Sequence, residues 1–158
     1  MKTIRLTLAL LSLSLLSLTV SAQNTAPALT AYYSLKDALV ATDAAKAKTG
    51  ATALVAALGK VEAGKLSATD KNALVTAKTK AAAISRTTDV AAQRDAFEAL
   101  STSMIALTKA TKPAKAYVQF CPMAAEGKGA SWLSDKREVR NPYYGDKMLK
   151  CGSVKEEI

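Results

Sequence analysis

The sequence predicts an all-α fold: an antiparallel up-down helical bundle with a loop-rich C-terminal tail packed on it. Of the 158 residues, 49% are hydrophobic but only 5% are aromatic, and alanine supplies much of the apolar content. Alanine favours helices over strands. Apolar residues also recur at helical spacing up to Pro113, after which aromatic residues, glycines and both cysteines become concentrated.

The N-terminus has the pattern of a secretory signal peptide. Lys2 and Arg5 precede an apolar run over residues 6–18, and the small residues Val20-Ser21-Ala22 follow. We therefore predict a signal peptide over residues 1–22, cleavage after Ala22 and a periplasmic location. No later stretch is long and apolar enough to cross a membrane, so we expect no stable membrane insertion.

Residues 23–112 are expected to form the bundle. The first stripe of apolar residues is spaced alternately by four and three positions; its members are Val40, Ala44, Ala47, Ala51, Leu54, Leu58 and Val61. Because this spacing keeps one apolar face across Gly50, it predicts one long helix over about 28–63. The alternative is two helices that break near Gly50. Further helices are predicted over 70–86, capped by Ser67 or Thr69, and over 90–111, ended by Pro113.

Residues 113–158 are expected to be a tail rich in cysteine, methionine and aromatic residues, belonging to the same domain. Residues 115–120 could be a short extended segment, and residues 146–151 could form one or two helical turns. Forty-five residues make a poor core by themselves, so we expect the tail to pack on the bundle.

Composition excludes several function classes. The chain has no histidine, which removes Ser-His-Asp and Cys-His catalysis and the usual zinc sites. No paired carboxylates or cofactor motif is visible, so we do not expect an enzyme. The net charge of +9 is spread along the chain instead of forming a dense patch with stacking aromatics, so we expect no nucleic-acid partner.

Four sulfur-containing residues in the tail form the most informative pattern. Met123 follows Cys121 by two positions, and Met148 precedes Cys151 by three. Thiolates and thioethers are soft ligands that select Cu(I). If the two segments face each other, these four residues predict a Cu(I) site, and Trp132 would be either a core residue or a cover over that site.

A disulfide between Cys121 and Cys151 is the alternative, because two cysteines in an exported protein pair by default. The protein would then be a non-metal interaction module of the envelope, with a docking surface around Trp132, Tyr143 and Tyr144. The two hypotheses are compatible if the pair cycles between dithiol and disulfide and binds metal only when reduced.

The tail resembles a periplasmic domain family of unknown function. The residues that carry the resemblance are Phe120-Cys121-Pro122-Met123-Ala124, Gly127-Lys128-Gly129-Ala130, Trp132-Leu133-Ser134, Glu138-Val139-Arg140-Asn141-Pro142-Tyr143-Tyr144-Gly145 and Met148-Leu149-Lys150-Cys151-Gly152. In the helical part they are Tyr33-Ser34-Leu35-Lys36-Asp37-Ala38-Leu39-Val40 and Ala91-Ala92-Gln93-Arg94.

That family occurs alone and fused to the membrane-fusion subunits of copper/silver efflux systems. The resemblance implies copper handling in the envelope, with an efflux adaptor or another envelope copper protein as partner. Cys121-Pro122-Met123 is also similar to the Cys-Pro-Met-His motif of short heavy-metal-binding domains in such adaptors. Ala124 stands where that motif has histidine, which leaves sulfur alone as the ligand type. The function we expect is therefore that of a periplasmic Cu(I) chaperone or buffer.

Overall fold

The computed structural model describes residues 25–158, and the predicted signal peptide lies outside the described residues. Four helices come first: α1 (Ala26–Val40), α2 (Ala44–Gly59), α3 (Ala68–Ile84) and α4 (Val90–Thr111). Three strands follow: β1 (Tyr117–Cys121), β2 (Ala130–Ser134) and β3 (Ser153–Glu157). Short 3-10 helices span Ala63–Lys65 and Gly145–Met148. None of the helices in the described part of the chain is long and apolar enough to cross a membrane.

The all-α prediction is wrong, because the tail forms a three-stranded antiparallel sheet and the fold is mixed α/β. Strand β1 is central, with β2 and β3 on either side. Strands β1 and β2 are largely buried on both faces, so they lack the alternation of apolar and polar residues that identifies a half-buried strand. Strand β3 is mostly exposed and contains Lys155, Glu156 and Glu157, a composition that is atypical of strands.

The predicted continuous helix over 28–63 is also wrong. The chain breaks at residues 41–43, where Thr42 has a φ of 56°, and Asp43 starts α2 by accepting a hydrogen bond from the Lys46 backbone N–H at 2.9 Å. The alternative break near Gly50 is wrong as well, since Gly50 lies inside α2. A Cβ at Gly50 would lie 3.0 Å from the Leu35 Cα, so this glycine permits close packing of α2 on α1.

Other predicted elements agree with the structure. Helices α3 and α4 correspond to the segments predicted over 70–86 and 90–111, and Ser67 and Asp89 cap them. Strand β1 overlaps the extended segment predicted over 115–120, and the 3-10 helix Gly145–Met148 overlaps the helical turns predicted over 146–151.

The bundle and the sheet share one hydrophobic core. Consecutive helices pack on each other, and α4 packs on β2. The buried Tyr32 of α1 links the helices to the sheet. Its hydroxyl lies 2.7 Å from Ser101 Oγ in α4 and accepts a hydrogen bond from the Leu133 backbone N–H in β2 at 3.2 Å. The position of the sheet is thus fixed by a hydrogen bond to its backbone as well as by packing.

Candidate functional site

The structure joins Cys121 and Cys151 in a disulfide, with their Cα atoms 5.6 Å apart. Cys121 ends β1 and is fully buried. Cys151 precedes β3, and the register of the sheet pairs Phe120 with Ser153. Cys121 therefore lies in the central strand and Cys151 two residues before the neighbouring strand, and the hydrogen bonding of the sheet holds the two segments together.

A buried asparagine fixes the segment that carries Cys151. Asn141 is fully buried, and its side-chain Nδ2 donates to the Cys151 carbonyl at 3.0 Å. Its backbone N–H donates to the Leu149 carbonyl at 2.8 Å, and the Cys151 N–H donates to the Met148 carbonyl at 3.0 Å. Cys151 therefore sits on a well-braced turn and not on a loosely held loop.

The two methionines lie on the segments that the disulfide connects. Met123 follows β1 in the turn that leads to β2 and is 53% exposed. Met148 is half-buried at the end of the 3-10 helix. The hydroxyl of Tyr144 donates to the Met123 carbonyl, which ties the turn after β1 to the residue that precedes the 3-10 helix Gly145–Met148. The structure thus joins the two segments through Cys121 and Cys151, and it shows no contact between the two methionines in the described residues.

Trp132 is a core residue beside the disulfide. It is fully buried, and within the described residues its indole Nε1 has no hydrogen-bond partner. Its ring meets that of Tyr143 edge to face at a centroid distance of 5.9 Å. A Cβ on Gly152, the residue after Cys151, would lie 3.0 Å from Trp132 Cη2. Trp132 therefore covers the backbone next to Cys151, and it cannot belong to an exposed docking surface.

Arg94 is an anchoring residue that we did not predict. From α4, its Nε donates to the Pro142 carbonyl at 2.9 Å, and its guanidinium also donates to the Leu39 carbonyl at 3.0 Å and to Thr42 Oγ1 at 3.1 Å. Burial lowers the pKa of the guanidinium, and the nearby Asp146 opposes that effect. Nothing in the spacing of the sequence indicates that a residue in α4 holds the tail to the α1–α2 connection.

The four side chains predicted as metal ligands all carry sulfur. In the described part of the chain, no group of three or more histidine, cysteine, aspartate or glutamate side chains is placed to hold a metal ion. A metal at the tail would therefore depend on thioethers together with the two cysteines. Such a set suits a soft ion and does not suit Mg²⁺ or Ca²⁺, which require oxygen ligands.

The helical part of the chain matches a known family model. The model is described as a protein of unknown function (DUF3347), and it covers residues 28–116. The matched range ends before β1 and does not include the four sulfur residues. Searches of curated proteins and of solved structures found no significant match. Because the family model covers more than half of the chain, the protein belongs to this family of unknown function (DUF3347).

Proposed function

We propose that this protein is exported to the periplasm and binds Cu(I) when its Cys121–Cys151 disulfide is reduced. The observation that carries the proposal is the placement of the two cysteines, whose Cα atoms lie 5.6 Å apart on segments that also contain Met123 and Met148. On reduction, two thiols would remain next to each other with two thioethers on the same segments. Thiolates and thioethers are the ligands that Cu(I) prefers.

The disulfide makes the site conditional on redox state. A disulfide sulfur is a poor metal ligand compared with a thiolate, so the oxidised protein would lack its two strongest ligands. A dithiol reductant, itself oxidised to a disulfide, would supply two electrons and two protons and convert Cys121 and Cys151 to thiols. Binding of Cu(I) as cargo would then release the thiol protons to solvent.

The proposed ligands differ in how far they are exposed to solvent. Cys121 is fully buried, whereas Met123 is 53% exposed and Met148 is half-buried. We infer that Met123 receives the ion from solvent or from a partner and that the thiolates hold it. Transfer to an acceptor would proceed by stepwise exchange of ligands, starting from the exposed thioether.

The proposed partner follows from the resemblance of the tail to domains fused to copper/silver efflux subunits. An exported Cu(I) chaperone or buffer would pass its cargo to such an adaptor or to another copper protein of the envelope. The bundle would serve as the scaffold that positions the tail.

An anaerobic Cu(I) titration against a chromophoric chelator tests this function. It uses the chain purified from the periplasm of an expression host and then reduced, alongside the double variant Cys121→Ser/Cys151→Ser. We expect the wild-type protein to withhold one equivalent of Cu(I) and the double variant to withhold none. Equal withholding by both proteins, or none by either, would reject the proposed thiolate site.

A second candidate is a disulfide-stabilised interaction module without a metal, and the pairing of the two cysteines favours it. In the chain-entropy model, a crosslink over 30 residues contributes about 3–4 kcal/mol. The docking surface first expected around Trp132 needs correction, because that side chain is fully buried. The copper titration separates the candidates, since this module binds no Cu(I) in either redox state.

A further inference from the structure

The two cysteines of the disulfide differ in their access to solvent. Cys121 lies in the central strand of the sheet and is 0% exposed, and its register partner in β2, Ala130, is also buried. Cys151 is partly exposed and stands between two exposed residues, Lys150 and Gly152. A thiol that arrives from solvent is therefore excluded from the Cys121 sulfur and directed to Cys151.

Bonds other than the disulfide hold the two cysteines near each other. Asn141 Nδ2 donates to the Cys151 carbonyl at 3.0 Å, and Asn141 Oδ1 accepts from the Tyr143 backbone N–H at 2.8 Å. On the other side of Cys151, the register of β1 and β3 pairs Phe120 with Ser153. These contacts do not involve sulfur, so they persist when the S–S bond is cleaved and keep the two thiols close together.

We propose that a dithiol reductant opens this disulfide by attacking the Sγ of Cys151. The thiolate of the reductant bonds to that sulfur, the S–S bond breaks, and Cys121 leaves as a thiolate that takes up a proton. The second thiol of the reductant loses its proton and attacks the reductant's own sulfur in the mixed disulfide. Cys151 then leaves and is protonated in turn, and the reductant becomes a disulfide, so two electrons have passed to the protein.

The same arrangement selects against a reductant with a single thiol. After attack by a monothiol, the freed Cys121 thiolate lies beside the mixed disulfide on Cys151 and can attack its Sγ and expel the monothiol. Such an intramolecular attack has a high effective concentration. The second thiol of a dithiol is also intramolecular, so it competes with this reversal. The partner is therefore a small dithiol or a protein with a reactive cysteine pair.

This inference rests on the proposed function for its purpose, because it identifies the reaction that would open the copper site. Its chemistry needs only the disulfide, and its test contains no copper. A failed test would leave Cu(I) binding by the chemically reduced protein intact, and absence of Cu(I) binding would leave the order of bond exchange intact.

The site of attack is measured on the oxidised wild-type chain, which is treated with glutathione and quenched in acid at early times. Mass spectrometry of its peptides then locates the glutathione. We expect at least about tenfold more adduct on Cys151 than on Cys121, because exchange depends on which sulfur is accessible. The control is the same reaction in guanidinium chloride, where both sulfurs are exposed and the two adducts should form in similar amounts. Equal adducts in the folded protein, or more on Cys121, would overturn the proposal.

Single-cysteine variants measure the same difference without a short-lived intermediate. The thiol of Cys151 in Cys121→Ser should react with Ellman's reagent at least about tenfold faster than the thiol of Cys121 in Cys151→Ser. Each variant is the matched control of the other, and the two rates should converge in guanidinium chloride. Equal rates under native conditions would reject Cys151 as the point of attack.

The kind of reductant is tested on the oxidised wild-type chain at equal thiol concentrations. The three reductants are glutathione, dithiothreitol, and thioredoxin kept reduced by its reductase and NADPH. We expect dithiothreitol to reduce the protein at least about tenfold faster than glutathione. Reduction by thioredoxin as well would identify a protein dithiol as a competent partner, and its failure would assign the reaction to small dithiols. Equal rates with glutathione and dithiothreitol would overturn the selection for a dithiol.

Discussion

Gly152 lies directly against Trp132, because a Cβ at Gly152 would come within 3.0 Å of Trp132 Cη2. The same Cβ would lie 2.7 Å from the Phe120 carbonyl oxygen, and the φ of Gly152 is 137°. The residue after Cys151 must therefore be small and must adopt a backbone conformation that favours glycine. This close approach lets the turn carrying Cys151 pack under the indole and reach the end of β1.

We predict that Gly152→Ala destabilises the protein by about 1–3 kcal/mol, because alanine would combine backbone strain with a steric clash. Denaturant unfolding of the oxidised protein measures the change. The matched control is Gly59→Ala, since a Cβ at Gly59 would meet no atom within 4 Å. If Gly152→Ala is as stable as the control, the packing described for the Cys151 turn is incorrect.

Arg94 should be important for stability although it lies far from the tail in sequence. We expect Arg94→Gln to lower the free energy of unfolding by about 2–3 kcal/mol, because it removes charged hydrogen bonds to the Pro142 and Leu39 carbonyls. Hydrogen exchange should accelerate first in residues 141–145. Arg86→Gln changes the same charge at an exposed helix end and should have little effect. Equal losses in the two variants would contradict the anchoring role.

Stability should fall at alkaline pH. Burial raises the pKa of both Tyr32 and Tyr143 above the ordinary value of 10.0. Both are protonated in the fold at a pH where the unfolded chain ionises, so their contribution is fully present below about pH 10 and declines above it. Denaturant melts from pH 8 to pH 11 measure this decline. The slope should be shallower in Tyr32→Phe, and parallel slopes for the two proteins would refute the assignment to Tyr32.

The methionines provide a sharper test of the sulfur site than the cysteines, because their replacement leaves the disulfide intact. We predict that Met148→Leu weakens Cu(I) binding by the reduced protein about tenfold, equivalent to about 1.4 kcal/mol. Met104→Leu is the matched control, since Met104 is buried in α4 and the exchange conserves volume. Competition with the chelator gives both affinities. Equal affinities would remove Met148 from the ligand set.

The helices were largely predictable from the sequence because their apolar stripes and caps are local features. Ser67, one of the two caps predicted for the helix over 70–86, does cap α3. The break between α1 and α2 was missed because the apolar spacing continues across it, and because Thr42, which has a positive φ at the break, is a residue type that rarely adopts that conformation. A helix break was predicted near Gly50, but this glycine lies inside α2 and allows close contact with Leu35.

The tail was harder to predict because its strands depend on long-range pairing. The buried faces of β1 and β2 erase the alternation that would reveal them, and β3 is recognisable as a strand only through its pairing with β1. The sequence did identify Cys121 and Cys151 as residues of the candidate site. It could not identify Arg94 or Asn141 as anchors, since their partners are mainly backbone carbonyls distant in the chain.

The central claim is that Cys121 and Cys151 form a crosslink when oxidised and a pair of Cu(I) ligands when reduced. The most direct test divides one preparation into oxidised and reduced halves and titrates both anaerobically with Cu(I) against a chromophoric chelator. We predict that the reduced half withholds one equivalent, that the oxidised half withholds none, and that reoxidation of the reduced half after removal of copper abolishes binding. Equal withholding by the two halves, or no withholding by the reduced half, would contradict the account.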